Sequence, residues 1–419
     1  MIYLHVPFCR SFCTYCDFYS EIACKGRDAE AMECWADEVC REISARSDEI
    51  ASTLDLDTLY IGGGTPSVLP LSFLQRVLAA LQSVRQMDVC ETRPASRQCT
   101  SGETVCGRYK EFTIEVNPED IIERGPQYVQ ALLDLGVTRI SMGVQSLDDS
   151  ILRWMNRRHN ADGARKAFGI ISDVVQTAVS SQNTGSGSAG RCSLSIDLIT
   201  GVPGMGIDTL ESTLDEILTW HPEHISAYQL SIEEGSALEK MIEEGSVTEL
   251  DEESCRAQYE LLCSKLAAAG YHHYEISNWA IPGHEAIHNS AYWTRHPYVG
   301  LGPGAHSLIY YDIAGKPIGR TALESEAAAG PIGRAMPVQS APCGPLTGPL
   351  PVAAGSAAGR QRRSWNSQTL SGWTSEGENL TPEQIHEEEV MLLARTDRGP
   401  IPERDWFIAD DIILHQLSS

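Results

Sequence analysis

Two periodicities divide the first 230 or so residues. Short, mostly apolar runs at 59–61, 112–116, 139–142, 194–199 and 225–230 follow an alternating run that opens at Tyr3. Between them lie stretches with apolar residues at helical spacing, at 28–47, 71–84, 127–135, 161–179 and 209–220. Strands alternating with amphipathic helices predict an α/β fold with a parallel sheet, because consecutive parallel strands need a crossover that a helix supplies. Right-handed crossovers curl such a sheet into a whole or partial (βα)6 barrel, with ligands at the strand C-termini.

Three stretches break the alternation. Residues 85–110 and 180–191 are polar, Gly/Ser-rich or charge-mixed, and each falls between a helix and the next strand, as surface inserts do. Residues 314–377 are dense in Gly, Ala, Pro and Ser with no hydrophobic period, which predicts a disordered, low-complexity insert. The expected division is a core barrel over 1–235, a barrel extension over 236–313, the insert over 314–377, and a short, truncated helical region over 378–419. That last region opens on Thr381-Pro382-Glu383-Gln384, a capping-box pattern with proline at the first helical position.

Composition narrows the function. At 419 residues and 42% hydrophobic, the chain can bury one large core and a small second unit. Its net charge of −25, from 57 acidic and 32 basic residues, repels phosphate backbones and argues against a nucleic-acid partner. No apolar run approaches the roughly 20 residues that span a bilayer, and no charged leader precedes the first strand. The expected location is the cytoplasm, or a mitochondrion or plastid if a presequence has been removed. Thirteen scattered cysteines, an odd number, fit a reducing compartment.

Three of those cysteines form a motif, C-x3-C-x2-C, at Cys9, Cys13 and Cys16. Three thiolates on one loop can hold three irons of a [4Fe-4S] cube and leave the fourth open to a small molecule; spacing alone also suits a three-cysteine zinc knuckle. Cys90, Cys99 and Cys106 share one insert but lack a fourth ligand at metal spacing. The turn Gly62-Gly63-Gly64-Thr65-Pro66-Ser67 ends a strand and bares backbone to which a ligand can come close. At corresponding strand ends stand Glu115, Gln145, Arg157 and Asp197, each of which alone could be a helix cap or a surface ion pair. Further on, His288-Asn289-Ser290-Ala291-Tyr292-Trp293 sets a histidine, a common iron ligand, among aromatics able to cover a porphyrin; alone, such a motif is more often a packing corner.

The string Y-x-H-x-P-F-C-x3-C-x-Y-C-D-F from Tyr3 to Phe18 resembles the cluster loop of radical S-adenosylmethionine (SAM) proteins. Within them it resembles the branch shared by oxygen-independent coproporphyrinogen III dehydrogenase and the haem chaperone HemW. The resemblance runs from Tyr3 to about Ser307 and returns weakly between Thr381 and Gly399. It implies a [4Fe-4S] cluster on Cys9, Cys13 and Cys16, with SAM on the open iron. Implied SAM contacts are Gly63, Gly64, Thr65, Glu115, Gln145, Arg157 and Asp197, with Tyr3 and Tyr15 beside the cluster. H-N-x-x-Y-W is characteristic of the HemW branch and implies haem at His288, Asn289, Tyr292 and Trp293. The dehydrogenases carry another cysteine two residues after the third cluster cysteine, where this chain has Phe18, and a segment ahead of the loop that is missing here. The expectation is a haem chaperone serving haem-receiving proteins, with an electron donor such as flavodoxin or ferredoxin. The alternative is the dehydrogenase of porphyrin biosynthesis, which decarboxylates a propionate by radical chemistry.

Overall fold

The computed structural model describes residues 1–16, 18–22, 28–92, 108–182, 192–233, 235–320, 360–399, 401 and 403–408. Its strands are β1 (Ile2–Val6), the loop pair β2 (Phe8–Cys9) and β3 (Glu21–Ile22), β4 (Thr58–Gly63), β5 (Glu111–Val116), β6 (Arg139–Gln145), β7 (Ser193–Thr200), β8 (His224–Gln229), β9 (His272–Glu275), β10 (Asn278–Ala280), β11 (Val299–Leu301), β12 (His306–Tyr311), β13 (Pro317–Ile318), β14 (Arg360–Asn366) and β15 (Ser375–Asn379). The helices are α1 (Asp28–Ala45), α2 (Ser47–Ser52), α3 (Leu71–Thr92), α4 (Pro118–Asp134), α5 (Asp149–Trp154), α6 (Ala161–Gln182), α7 (Ile207–Trp220), α8 (Ala237–Glu243), α9 (Glu252–Ala268), α10 (Ile287–Trp293) and α11 (Pro382–Leu393).

The main sheet has the order β11-β1-β4-β5-β6-β7-β8-β10-β9. Six strands, β1 and β4 to β8, run parallel in chain order, as the alternation predicts. The extension adds β11 parallel to β1 at one edge and the antiparallel pair β10-β9 at the other. Each parallel strand is two-faced. One set of alternate residues, including Leu4, Ile61, Ile114, Ile140, Ile196 and Ile225, is buried in one continuous core with helix residues such as Trp35, Leu81, Leu132, Ile171 and Leu214. The other set, including Tyr60, Thr113, Glu115, Ser141, Ser195, Asp197 and Ser226, is polar or aromatic and faces an interior cavity. Strand periodicity of two therefore builds both the apolar shell and a polar interior.

The expected inserts are shorter than the sequence suggested. Helix α3 continues through Thr92 and α6 through Gln182, so the first parts of 85–110 and 180–191 are helical. The stretch 314–377 likewise contains regular structure: β13 and β14 flank β12, and β15, which begins inside it, pairs with β14. The sequence pattern conceals β14 because it is polar (Arg360-Gln361-Arg362-Arg363) and is held by ladder bonds to β12 and β15, not by an apolar period. Residues 93–107, 183–191 and 321–359 lie outside the described residues. The Thr381 capping box forms as predicted: the Thr381 hydroxyl accepts from Gln384 N–H, and Gln384 accepts from Thr381 N–H.

Candidate functional site

A cavity of about 620 Å³ occupies the barrel interior, from the Cys9–Cys16 loop at the strand C-termini down to α10. Every predicted site residue lines it except Trp293. The strands place the interior side chains in layers, because parallel register sets Tyr3, Tyr60, Thr113 and Arg139 side by side, with Gly143, Asp197 and Ser226 level with one another nearer the mouth.

The cluster loop is anchored from two sides. Thr14 N–H donates to the Met155 carbonyl (3.2 Å), the Thr14 hydroxyl to the Trp154 carbonyl (2.8 Å), and Asn156 Nδ2 to the Phe12 carbonyl (2.6 Å). Opposite, Gly64 N–H donates to the Val6 carbonyl and Thr65 N–H to the Phe8 carbonyl, both at 2.8 Å. This packing explains the glycines. A Cβ on Gly63, where φ is +106°, would lie 2.5 Å from the His5 ring, and one on Gly64 would lie 2.8 Å from the Phe8 carbonyl oxygen. The turn is tight because it clasps the cluster loop, and its Gly63 N–H is already taken by Glu115 Oε2 (3.2 Å).

Around the thiols the donors are charged or hydroxylic. Arg157 Nη1 donates to Cys13 Sγ at 3.4 Å, and its Nη2 donates to Asn117 Oδ1 (2.6 Å) and the Gly143 carbonyl (2.9 Å). Cys9 Sγ lies 3.4 Å from the Thr65 hydroxyl, which also accepts from Asn117 Nδ2 at 3.2 Å. Burial pushes the Cys9 thiol up, and the Thr65 hydroxyl acts against it. A cationic guanidinium on one thiol and a hydroxyl on another suit anionic sulfurs.

Deeper in, Glu115 accepts from the Tyr60 hydroxyl at 2.6 Å, and burial raises its carboxyl to about 7. Asp197 accepts from Ser141 Oγ at 2.9 Å and is raised by burial to about 6. Gln145 ends β6 at φ +66°, where the β6–β7 register shifts, a backbone state that side-chain-bearing residues avoid unless the surroundings impose it. Arg157 Nε and Thr113 Oγ1 are buried without a hydrogen-bond partner. Three thiols, a guanidinium, two carboxyls and two orphaned polar atoms around one cavity fit a [4Fe-4S] cluster and the amino-acid and ribose ends of SAM.

The floor of the cavity is built by α10. α10 crosses the N-terminal ends of β4 and β5: Glu111 accepts from the N–H groups of Ile287 (2.9 Å) and His288 (2.8 Å). His288 Nδ1 pairs with the Thr58 hydroxyl (2.9 Å) and Nε2 with the Tyr292 hydroxyl (3.0 Å). With both ring nitrogens engaged by hydroxyls and 1% of the residue exposed, His288 closes the barrel floor in this structure. Asn289 lines the cavity and donates to Glu275 (3.3 Å), and Tyr292 lines it beside Tyr298.

Residues that sequence reasoning missed share one signal, a polar side chain at an alternate strand position. They include Tyr60, Arg139, Ser141, Ser195 and His224, all in the cavity wall. Asn117, the residue directly after β5, joins Thr65 to Arg157.

The Radical SAM superfamily model matches residues 3–217, just over half of the chain. The curated "Heme chaperone HemW" of Synechocystis is 33% identical over 319 residues, 75% of this chain and 67% of that protein. The Bacillus subtilis protein of the same name is 29% identical over 73% of this chain and 70% of its own. "Radical S-adenosyl methionine domain-containing protein 1, mitochondrial" of Danio rerio is 29% identical over 73% of this chain and 59% of its own. Among solved structures, Escherichia coli coproporphyrinogen III oxidase (HemN), described as a radical SAM enzyme, superposes with a TM-score of 0.60 over 94% of this chain and 75% of that one, at 17% identity. That likeness shows the fold. With the six-stranded parallel core, the three-cysteine loop at its mouth and these relatives, the chain belongs to the radical SAM superfamily and, within it, to the family of the HemW proteins.

Proposed function

We propose that this protein is a haem chaperone that holds a [4Fe-4S] cluster on Cys9, Cys13 and Cys16 and SAM in the cavity beneath it, and delivers haem to recipient proteins. The observation that carries the cofactor reading is the convergence of the three thiols, Arg157, Asp197 and Glu115 on one enclosed cavity. The cluster, when bound, supplies an electron to SAM. The chain's own residues do the rest: Arg157 balances negative charge beside Cys13 and offers a guanidinium suited to a carboxylate. Asp197 and Gln145 suit ribose hydroxyls, and Glu115 suits an ammonium. Support for haem comes from the relatives' names and from Phe18 standing where the dehydrogenases have a cysteine. Phe12 and Phe18, 48% and 64% exposed on the cluster loop, offer apolar surface for an electron donor of the flavodoxin or ferredoxin kind. No helix among the described residues is long and apolar enough to cross a membrane, and relatives named as mitochondrial make either the cytoplasm or the mitochondrion a fitting location.

The test is anaerobic reconstitution followed by haem titration and coproporphyrinogen turnover in parallel. Haem binding without decarboxylation is the expected result. Steady formation of protoporphyrinogen without haem binding would make the protein a dehydrogenase instead.

A further inference from the structure

On the outer side of the sheet edge, away from the cavity, three metal-ligating side chains from three separate elements converge. Cys263 comes from α9, His273 from β9, and Glu403 from the 3-10 segment Glu403–Ile408. One ligand atom from each lies within 4.8 Å of the other two, with Cys263 Sγ 3.9 Å and Glu403 Oε1 2.8 Å from His273 Nδ1. None of them lines the cluster cavity.

The histidine is oriented as a ligand would be. Its Nε2 lies 3.3 Å from the Ile276 carbonyl, which can only accept, so Nε2 carries a proton and Nδ1 is the ring nitrogen turned towards the thiol and the carboxylate. The ring cannot turn away, since it stacks on Trp279 (4.0 Å between centroids, 13°) and meets the edge of Trp406 at 4.5 Å. At 2.8 Å the Glu403 oxygen and His273 Nδ1 share either a proton or a metal ion, and the Cys263 sulfur 3.9 Å from Nδ1 supplies a third donor atom at the same point.

We infer that Cys263, His273 and Glu403 bind a divalent zinc ion that clamps the 3-10 segment to β9 and α9. Sulfur, imidazole and carboxylate together are a zinc donor set, and three protein ligands leave the fourth tetrahedral position to water. Tetrahedral zinc bonds of roughly 2.0–2.3 Å put neighbouring ligand atoms roughly 3.3–3.6 Å apart. The Glu403 side chain, 54% exposed, has the freedom to open its 2.8 Å contact to that spacing, while the buried His273 stays fixed. The clamp is structural: His273 is enclosed by tryptophans, and the site joins the last described segment to the sheet edge.

The test is elemental analysis of the full-length, cluster-loaded protein after zinc exposure and removal of loosely held metal with a weak chelator. About one zinc per chain is expected in the wild type. In Cys263→Ser and His273→Ala, zinc should fall at least tenfold while iron stays at the wild-type level. Wild type without zinc would overturn the inference. So would zinc that survives in Cys263→Ser, because it would then sit elsewhere, including on the cluster cysteines. Unfolding provides a second reading: zinc should raise the Tm of the wild type and leave that of Cys263→Ser unmoved.

Discussion

At Gly63 the chain has no alternative residue. A side chain there meets the His5 ring, and φ of +106° is strained for anything but glycine. His5 is itself fixed, accepting the Tyr3 hydroxyl at Nδ1 (3.0 Å) and donating from Nε2 to the Tyr19 carbonyl (2.8 Å). Gly63→Ala should therefore lose on the order of 1–3 kcal/mol of stability, read by chemical denaturation of the cluster-free protein; an unchanged midpoint would contradict the clasp. Asp197 is the cleaner probe of the organic ligand, since its bonds run to serines and not to the cluster loop. Asp197→Asn should weaken SAM binding tenfold or more, about 1.4 kcal/mol, with iron content unchanged. Arg157→Ala should weaken SAM as much but also loosen iron, because it removes the donor to Cys13. Glu115 gives a pH signature. Its carboxyl is raised by burial from 4.5 to about 7, so the folded state holds that proton more tightly than the unfolded chain. Stability is then greatest below about 4.5 as far as this group is concerned, and falls as pH rises to about 7, by on the order of 3 kcal/mol at most. Glu115→Gln, measured without SAM, should remove most of that slope.

Among the elements, α10 is the one whose role the sequence concealed. H-N-x-x-Y-W reads as a ligand motif because nothing in the sequence shows that β4 and β5 begin against it. In three dimensions the motif spends its histidine on Thr58 and Tyr292. His288→Ala strands two buried hydroxyls, so it should cost about 2–3 kcal/mol of stability, and His288→Gln should recover part of that loss. Haem spectra of the two variants should match the wild type when the folded protein is assayed. Loss of the haem band in His288→Ala at unchanged stability would restore the ligand role. The parallel strands were legible for the opposite reason, since each carries a local apolar period against the helices. Their inner faces were only partly legible: Glu115 and Asp197 stood out as charges, whereas Ser141, Ser195 and Tyr60 looked ordinary until register made them neighbours. β14 and β15 carry no apolar period at all and depend on pairing, β14 with β12 and β15 with β14.

Across the whole molecule, the C-terminal strands support the cluster end from behind. Asn366 Nδ2 donates to the Gly302 carbonyl and to Glu42, both at 2.8 Å, and Trp373 Nε1 donates to Glu42 at 3.1 Å. Gly302 in turn lies against the His5 backbone, where a Cβ would come within 2.6 Å of its carbonyl oxygen. The Glu42 side chain and the polar cavity thus frame one strand, β1, which leads straight into the three cysteines. The central claim is that those cysteines hold a cluster with one iron free for SAM. It is tested most directly by electron paramagnetic resonance of the reduced, anaerobically reconstituted protein with and without SAM. The account predicts a cluster signal whose g-values shift when SAM is added to the wild type and shift far less in Asp197→Asn at the same concentration. An identical spectrum with and without saturating SAM would contradict it.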